Sequence, residues 1–247
     1  MSFRSPQSFE LDLEALEAVE CATLRFVAQG VHDLLDDVTI AQFERLAMTA
    51  GEKAGDKVNY LGEDLTRMAL DRIGFPRVPD GRLFGAIDYK LAAYQFLPDF
   101  AVRQALFVDS KVEKNALNVA RVQVTQTSLD IRQRLRNGDG INVPGHIPSV
   151  WETESGDLLT TTIFVKYHYG LQGGALVLRR VSVVALPNGF LQDQYNPSSD
   201  DGIWNIGPNS PARGERFRTR LNFTLLCAKA SWRVQRLVPG QPWTFAE

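Results

Sequence analysis

The sequence predicts an α/β protein, and three observations support this fold class. Apolar residues recur at helical spacing in the first third of the chain, over about 10–29, 40–50 and 61–73. Apolar or β-branched runs typical of strands follow, near 83–89, 103–110, 160–169, 175–186 and 213–223. A length of 247 residues, with 44% hydrophobic and 23% charged residues, is typical of one large globular domain with a substantial core.

The helices are predicted from their apolar spacing and their ends. Acidic residues cluster near the start of the first helix, about 10–29, where the helix dipole favours negative charge. The run Asp33–Asp37 predicts a break before the second helix, about 40–50. The third helix, about 61–73, is expected to stop at Gly74.

Turn residues divide the second half of the chain. Gly170–Gly174 separates two β-branched strands and predicts a hairpin. Gly138–Pro148 is rich in glycine and proline, which predicts a loop. Asn188–Pro211 is predicted to be a long connection, and loops of that length often carry function. Residues 113–136 are polar and mixed and show no assignable period.

Several protein classes find no support in this sequence. No apolar stretch approaches the roughly 18–20 residues of a membrane span, and Met1–Pro6 lacks the apolar core of a signal peptide. Cys21 and Cys227, the only cysteines, are expected to be buried thiols in a reducing compartment. The three histidines lack zinc-ligand spacing, and no Gly-x-Ser-x-Gly elbow supports a serine nucleophile.

Charge is distributed unevenly along the chain, although the formal net charge is only −2. Residues 1–50 contain nine acids and three arginines, whereas residues 202–247 contain seven bases and two acids. The basic C-terminal segment predicts a local anion-binding face. The alternative is that ion pairs join the two ends of the chain.

Two acids at the ends of neighbouring apolar runs form the strongest candidate for a catalytic site. Asp88 ends one run, and Asp109 follows the next with Lys111 two positions later. In a strand, residues i and i+2 share a face, so Asp109 and Lys111 are predicted to point to the same side. Two carboxylates can hold Mg²⁺ against a phosphate, and the ammonium can orient the attacking water. This set is the minimum for phosphodiester hydrolysis.

A second Asp-x-Lys lies in the same region, at Asp88-Tyr89-Lys90. In that register Asp88 and Lys90 form the pair, and the upstream acid is Asp64, Asp71 or Asp80. The continuous apolar run before Asp109 is typical of a strand buried on both faces, which favours Asp109 and Lys111.

The segment Arg213–Phe223 alternates between charged and apolar side chains. One predicted face carries Phe217, Thr219, Leu221 and Phe223, and the other carries Arg216, Arg218, Arg220 and Asn222. Arginines on one face repel each other unless an anion neutralises them, and arginine is suited to bidentate contact with guanine from a β-ribbon in the major groove. The alternative is the solvated outer face of an edge strand.

With these elements, the chain resembles the SfiI-like type II restriction endonucleases of the PD-(D/E)xK nuclease superfamily. The stretches that carry the resemblance are Glu63-Asp64-Leu65-Thr66, Gly85-Ala86-Ile87-Asp88-Tyr89-Lys90, Leu106-Phe107-Val108-Asp109-Ser110-Lys111, Glu113-Lys114-Asn115, Thr162-Ile163-Phe164-Val165, Leu186-Pro187, Gln194-Tyr195-Asn196-Pro197 and Ser210-Pro211-Ala212-Arg213-Gly214-Glu215. They keep their order from about residue 60 to about residue 236. One departure is Ile87, which stands where the superfamily usually has proline.

The resemblance implies a restriction-endonuclease-like αβα core, with a central mixed β-sheet flanked by helices and a β-hairpin or strand region that reads DNA. It places the metal acids on Asp88 and Asp109, with the carbonyl of Ser110 as a further Mg²⁺ ligand and Lys111 as the catalytic lysine. It assigns the reading of G·C pairs to Arg218 and Arg220. The DNA-binding segment also includes Arg213 and Arg216, with Arg213 nearer the backbone or bracing its loop. Glu63 is either a further acid at the metal or a solvated helix acid.

These observations predict a type II restriction endonuclease that uses Mg²⁺ to cleave double-stranded DNA at a G·C-containing interrupted palindrome. We expect a single endonuclease domain over 1–247, with a helical part over about 1–50 and the nuclease core over about 60–236. We also expect a homodimer or a homotetramer, located in the cytoplasm of a prokaryote without membrane association. The alternatives are a PD-(D/E)xK nuclease of repair or transposition, and a DNA-binding protein whose nuclease core is inactive.

Overall fold

A central mixed β-sheet carries long helices on one face and a β-ribbon on the other, which confirms the predicted α/β class. This computed structural model describes residues 12–37, 54–74, 92–96, 103–113, 118–152, 157–172, 175–206 and 217–247. The elements named below all lie within these ranges. No helix among them is long and apolar enough to cross a membrane.

The described α-helices are α1 (Leu13–Asp37), α2 (Ala54–Ile73), α3 (Gln192–Tyr195) and α4 (Phe223–Lys229). The described strands are β1 (Ala92–Phe96), β2 (Gln104–Glu113), β3 (Val119–Gln123), β4 (Ile131–Arg134), β5 (Gly140–Val143), β6 (Val150–Trp151), β7 (Leu158–Gln172), β8 (Ala175–Leu186), β9 (Arg218–Asn222) and β10 (Val234–Leu237). Short 3₁₀ turns occur at Val124–Gln126, Gly189–Leu191 and Ser231–Arg233.

The central sheet has the strand order β1-β2-β7-β8-β10, with β6 paired beside β7. Strands β2 and β7 run parallel, and the other neighbours in this sheet run antiparallel. Because β2 lies between β1 and β7 and is covered on both faces, the run Ala105–Val108 is almost fully buried. The predicted strand near 103–110 is therefore confirmed, and the predicted hairpin is confirmed as β7 and β8.

Two apolar cores lie on opposite faces of this sheet. The first core packs α1 and α2 against residues such as Leu106, Val108 and Ile163. The second core lies between the sheet and the β3–β9 ribbon, and it contains Phe164 and Leu221. Side chains alternate between these faces along β2, so the two cores determine which side of the sheet each residue of β2 occupies.

The prediction of a break at Asp33–Asp37 is wrong, because α1 continues to Asp37. Val31, Leu34 and Leu35 extend the buried stripe of the helix, and they outweigh the local preference of aspartate for turns. The third predicted helix is confirmed as α2, which begins earlier than predicted and ends where Gly74 adopts a positive φ of 81°. The helix predicted at about 40–50 and the strand predicted near 83–89 lie outside the described residues.

The predicted loop over Gly138–Pro148 is wrong in part, because β5 pairs with β4 as a hairpin. Its turn is closed by the N–H of Leu135, which donates to the carbonyl of Asp139 at 2.8 Å, and Gly138 has a φ of 92°. In the unassigned segment before it, the residues described from 118 onward form β3, a 3₁₀ turn and β4. Phe223 was predicted on strand β9 but begins α4, because the side chain of Asn222 caps that helix by accepting from the N–H groups of Thr224 and Leu225.

The long connection after β8 is tightly packed in its described part, up to Ile206. The side-chain oxygen of Asn196 accepts hydrogen bonds from the N–H of Arg132 at 3.0 Å and from Trp204 Nε1 at 2.7 Å. Trp204 in turn forms a bridge to Leu221 of β9. The connection therefore packs against strand β9 and supports the β3–β9 ribbon.

Ion pairs join the two ends of the chain, as one of the two charge hypotheses predicts. Arg233 Nη2 lies 2.7 Å from Glu20 Oε2 and 3.2 Å from Glu17 Oε1. This cluster ties helix α1 to the segment before β10, but it does not include the arginines of β9. Cys21 and Cys227 are free thiols as predicted, although they are half-buried rather than fully buried.

Candidate functional site

Asp109 and Lys111 lie side by side on strand β2, as the period of the strand predicts. Lys111 Nζ is 2.6 Å from Asp109 Oδ2, with 18% of the lysine side chain and 5% of the aspartate side chain exposed. On β7, Phe164 lies opposite Asp109 and Lys166 lies opposite Lys111. The ammonium of Lys111 lies 5.9 Å from the centre of the Phe164 ring. The pair therefore forms a partly desolvated ion pair at the edge of the second core, open to solvent from the lysine side.

Ser110 points to the opposite face of the sheet and joins β2 to helix α2. Its hydroxyl donates to Thr66 Oγ1 at 2.7 Å, and Thr66 Oγ1 lies 2.9 Å from the hydroxyl of Tyr167. Burial raises the pKa of Tyr167 far above its usual range, so the phenol stays neutral and keeps its hydrogen. This chain of three hydroxyls fixes α2 against the two parallel strands directly behind Asp109.

Helix α2 approaches the sheet closely at Gly62. A Cβ atom on Gly62 would lie 2.3 Å from Val112 Cγ2 and 3.2 Å from Tyr167 Cδ2, so only glycine fits at this crossing. The next residue, Glu63, interacts electrostatically with Asp109. Partial burial raises the pKa of Glu63, and the negative charge of Asp109 raises it further. The charges of Arg67 and Lys111 act in the opposite direction and lower the pKa of Glu63.

The predicted arginine face is confirmed on strand β9, where Thr219 and Leu221 are buried while Arg218 and Arg220 are half-buried on the other face. Strand β9 pairs antiparallel with β3 as a two-stranded ribbon, which places Arg220 opposite Arg121 and Arg218 opposite Gln123. Like charges directly opposite each other destabilise a ribbon. An anion bound between Arg121 and Arg220 would remove that repulsion.

Two residues of the candidate site lie in the segment 113–136, whose sequence showed no assignable period. Arg121 joins the arginine face, and Gln126 Nε2 donates a hydrogen bond to Asp109 Oδ1 at 3.2 Å. A signal for the strand was present, because Ala120 and Val122 alternate with Arg121 and Gln123. No comparable signal marks Gln126, whose contact with Asp109 depends on how β3 folds back over the sheet.

Four predicted site residues lie outside the described part of the chain. They are the acid Asp88, the rival lysine Lys90, and the arginines Arg213 and Arg216. Within the described residues, no group of three or more His, Cys, Asp or Glu side chains is arranged to hold a metal ion. The described part of the candidate site therefore comprises Asp109, Ser110 and Lys111 on β2, with Glu63 of α2 interacting electrostatically with Asp109 and Lys111.

A comparison with known protein families shows to which family the chain belongs. The model of the family described as type II restriction enzyme SfiI matches residues 23–237. The chain belongs to this family. The type II restriction enzyme SfiI of Streptomyces fimbriatus is 32% identical over 240 residues, which cover 92% of this chain and 86% of the relative. As a member of the SfiI family, the protein is a site-specific deoxyribonuclease.

Two solved structures share the fold of this SfiI-family chain. A crystal structure of tetrameric SfiI bound to cognate DNA matches with a TM-score of 0.76 and 29% identity, covering 93% of this chain and 86% of that one. A crystal structure of the restriction endonuclease BglI bound to its DNA recognition sequence matches with a TM-score of 0.64 and 14% identity, covering 92% and 91%. The restriction-endonuclease fold predicted from the sequence is thereby confirmed.

Proposed function

We propose that the protein is a Mg²⁺-dependent type II restriction endonuclease that cleaves double-stranded DNA within an interrupted palindrome containing G·C pairs. The observation that carries this proposal is the Asp109–Lys111 pair on β2, next to a ribbon that presents arginines on one face. Family membership favours this function over a repair or transposition nuclease and over a DNA-binding protein with an inactive core. We also propose that residues 1–247 form one endonuclease domain.

Digestion of a plasmid of known sequence tests the proposal. With Mg²⁺, discrete fragments whose ends map to one repeated sequence support a restriction enzyme, and the ends give the recognition site, spacer and overhang. Nicks or a smear without fixed ends support a non-specific nuclease. Binding without any cleavage in Mg²⁺ supports an inactive core. Matched reactions with Ca²⁺ and with chelator measure the metal requirement.

The donor set fits a hard divalent cation such as Mg²⁺. Asp109 supplies a carboxylate, and Ser110 supplies a backbone carbonyl, which are the oxygen ligands that Mg²⁺ prefers. Burial raises the pKa of Glu63, and the charge of Asp109 adds to this rise, so a cation bound by Asp109 would weaken the repulsion between the two acids. We assign Asp88 as the second metal carboxylate. A Mg²⁺ ion bound there supplies Lewis-acid stabilisation to the phosphate and to the leaving oxygen.

Lys111 orients the attacking water and stabilises charge that develops on the phosphate. Its ammonium is partly desolvated, so its interaction with a phosphate oxygen is stronger than in bulk water. Asp109 keeps the ammonium in position at 2.6 Å until DNA is bound. No nucleophilic side chain is required, which agrees with a sequence that lacks a serine or cysteine nucleophile motif.

Lys111→Ala is expected to lower single-turnover cleavage by about a thousandfold or more, because a positioned charge at the phosphate is lost. Lys90→Ala, in the rival Asp-x-Lys, is expected to keep a measurable rate. The measurement is single-turnover cleavage of a plasmid at saturating Mg²⁺. The reverse ranking of the two variants would assign catalysis to Lys90.

The ribbon arginines are proposed to read the DNA. Arg218 and Arg220 contact guanines in the major groove, where each bidentate contact discriminates by about 1–3 kcal/mol. Arg213 and Arg216 precede them in the chain and are assigned to the same DNA-binding segment. Arg121 lies opposite Arg220 and extends the basic face to the second strand of the ribbon.

Arg218→Ala and Arg220→Ala are each expected to weaken binding to the mapped cognate duplex by roughly tenfold to a hundredfold, with much less effect on a scrambled duplex. Arg236→Ala, an exposed arginine of β10, is the matched control. The measurement is a titration of both duplexes at two salt concentrations. Equal losses on both duplexes, with a flatter salt dependence, would make these arginines phosphate contacts instead.

Gly62→Ala tests the close approach of α2 to the sheet. The added methyl group clashes with Val112 and Tyr167, so we expect a loss of about 1–3 kcal/mol in the free energy of unfolding. Cleavage is expected to fall by about tenfold to a hundredfold, because Glu63 and Ser110 are displaced. Thermal melts and cleavage assays are compared with Met68→Ala, whose side chain is exposed on the same helix. If Gly62→Ala unfolds at the parental temperature and cleaves DNA at the parental rate, the crossing of α2 and the sheet accommodates a methyl group.

SfiI is tetrameric in its crystal structure with cognate DNA. We propose that this chain acts at least as a homodimer, because a palindrome presents two equivalent strands to be cut, and that it assembles to a homotetramer. Sedimentation velocity with and without the cognate duplex measures the mass of the complex. A monomer that cuts both strands in one binding event would contradict this assembly.

A further inference from the structure

One side chain connects the metal acid with the DNA-reading ribbon. Gln126 ends the 3₁₀ turn after β3, is 1% exposed, and donates from Nε2 to Asp109 Oδ1 at 3.2 Å. The other oxygen of Asp109 lies 2.6 Å from Lys111 Nζ. The carboxylate is therefore held at both oxygens, by an amide on one side and by an ammonium on the other.

Hydrogen bonding determines which way the amide of Gln126 points. Its Oε1 accepts a hydrogen bond from the backbone N–H of Gln123 at 3.1 Å. A reversed amide would place its oxygen against the carboxylate of Asp109 and its NH₂ group against the N–H of Gln123, so both contacts would become repulsive. The donor is therefore directed at Asp109, and the amide orients the carboxylate without neutralising it.

Gln123, which anchors this amide, is itself part of the ribbon. It pairs with Arg218, and Arg121 in the same strand pairs with Arg220. A tight 3₁₀ turn joins Gln123 to Gln126, so a movement of the ribbon also moves the amide. Asp109 belongs to a different sheet from the ribbon: β2 pairs with β7 along its whole length, with Asp109 opposite Phe164, and with β1 as far as Val108. A movement of the ribbon is therefore expected to shift the amide relative to the carboxylate.

We propose that Gln126 is a positioning residue that couples the seating of the ribbon on its recognition sequence to the alignment of the Asp109 carboxylate. The inference rests on the proposed function and adds the side chain that transmits correct base recognition to the metal site. When Arg218 and Arg220 are seated, the amide holds Oδ1 and leaves Oδ2 for Lys111 and the metal. A wrong base pair displaces the ribbon, and a hydrogen bond already at 3.2 Å weakens steeply when it lengthens.

A purely structural role for Gln126 has different consequences. If the amide only supported the packing of the ribbon, its loss would weaken DNA binding without metal and would leave the Mg²⁺ dependence unchanged. A coupling role instead lowers the cleavage rate and raises the Mg²⁺ requirement, because the metal carboxylate is misaligned. Metal-free binding then stays at the parental level.

Two variants separate these roles. Gln126→Met keeps the length of the side chain and removes both hydrogen bonds. Gln126→Glu keeps the shape and the acceptor for the Gln123 N–H, but it turns an oxygen toward Asp109 in place of the donor. Thr125→Val is the matched control in the same turn, because its hydroxyl donates to Gln123 Oε1 at 3.4 Å.

Single-turnover cleavage of the mapped cognate duplex is measured against Mg²⁺ concentration. Binding of that duplex, and of one with a single substituted base pair, is measured by fluorescence anisotropy without metal. Both Gln126 variants are expected to cut about tenfold to a hundredfold more slowly, and Gln126→Met is expected to need more Mg²⁺ for the half-maximal rate. The ratio of cognate to substituted cleavage rates is expected to fall toward the ratio of the binding constants. Thr125→Val is expected to match the parental chain.

Parental rates and parental Mg²⁺ dependence in both Gln126 variants would overturn the proposal. A loss of metal-free binding that accounts for the whole fall in rate would overturn it as well. A thermal melt of each variant accompanies the assays. If Gln126→Met unfolds at a lower temperature than the parental protein, the cleavage rate of the isosteric Gln126→Glu tests the proposal. If the parental protein cuts no DNA, the proposed function itself is wrong. If the parental protein cuts DNA and both Gln126 variants cut it equally well, only the coupling role of Gln126 is wrong.

Discussion

Replacing Asp109 by alanine is expected to abolish DNA cleavage while DNA binding is retained. Asp109 is the described metal carboxylate of the proposed site, and it also holds Lys111 Nζ at 2.6 Å. Its removal takes away one oxygen ligand and frees the catalytic lysine from its position. Loss of several kcal/mol of transition-state stabilisation lowers the rate by at least about a thousandfold. Asp88→Ala is expected to have the same effect on cleavage.

Binding should survive for an electrostatic reason. The carboxylate of Asp109 lies where a phosphate must approach, so its removal relieves repulsion between two negative groups. Lys111 then loses its partner and becomes free to contact a phosphate oxygen, which favours equal or tighter binding at low salt. The measurements are single-turnover cleavage with Mg²⁺ and anisotropy titrations of the cognate duplex with Ca²⁺ and without metal.

Two controls make this result specific. Asp109→Asn keeps the shape and removes the charge, and it is expected to be as inactive as the alanine variant. Asp193→Ala removes a carboxylate that is 94% exposed, and it is expected to be fully active. Near-parental turnover by either Asp109 variant would rule out this metal site.

Replacing Arg233 by methionine is expected to produce the largest loss of stability. Arg233 is fully buried, stacks 4.3 Å from the ring centre of Tyr195 and 4.2 Å from that of Trp232, and pairs with Glu20 at 2.7 Å. Glu20 is also fully buried, and its Oε1 accepts from the N–H of Asn188 at 2.8 Å. Removing the guanidinium leaves a buried carboxylate without its counter-charge, which costs about 3–5 kcal/mol.

The pH dependence of that loss follows from the carboxylate. Burial raises the pKa of Glu20, and in Arg233→Met no guanidinium lowers it again. An acid whose pKa is higher in the folded state binds its proton more tightly there, so it favours folding below its unfolded pKa of about 4.3 and disfavours folding as the pH rises above it. The deficit of the variant should therefore be largest near neutral pH and should shrink toward pH 4.

Urea denaturation at several pH values measures this effect. The double variant Glu20→Met/Arg233→Met is expected to recover most of the lost stability, because neither charge is then buried. Arg67→Met is the control, since its ion pair with Asp64 at 3.1 Å is exposed and contributes at most about 1 kcal/mol. A loss below 1 kcal/mol in Arg233→Met, or a double variant no more stable than the single one, would contradict the account.

The sequence by itself determined features that depend on the period of one element. Period two places Asp109 and Lys111 on one side of β2, and it separates Thr219 and Leu221 from the arginines of β9. β-branched runs around a glycine-rich turn determined the β7–β8 hairpin. The motif order from about residue 60 determined the family, which the family model confirms. These features are local, so neighbouring residues are sufficient to specify them.

Local rules failed where packing outweighed them. Aspartates predicted a break in α1, but the buried stripe through Val31 and Leu35 continues the helix. Gly138–Pro148 was predicted as a loop from its composition, yet Gly140–Val143 forms a strand because β4 offers a partner. Strand formation depends on that partner, which the composition of one segment does not describe.

Only the tertiary structure decided which elements meet. Ser110 contacts Thr66 across 44 residues of sequence, Gln126 contacts Asp109 across 17, and Arg233 contacts Glu20 across 213. A periodic pattern states which face of a helix or strand is buried, but it does not state which other face covers it. That choice is made by the summed burial and hydrogen bonding of the whole fold, and it brought Gln126 from an unassigned segment to the acid that we assign to the metal.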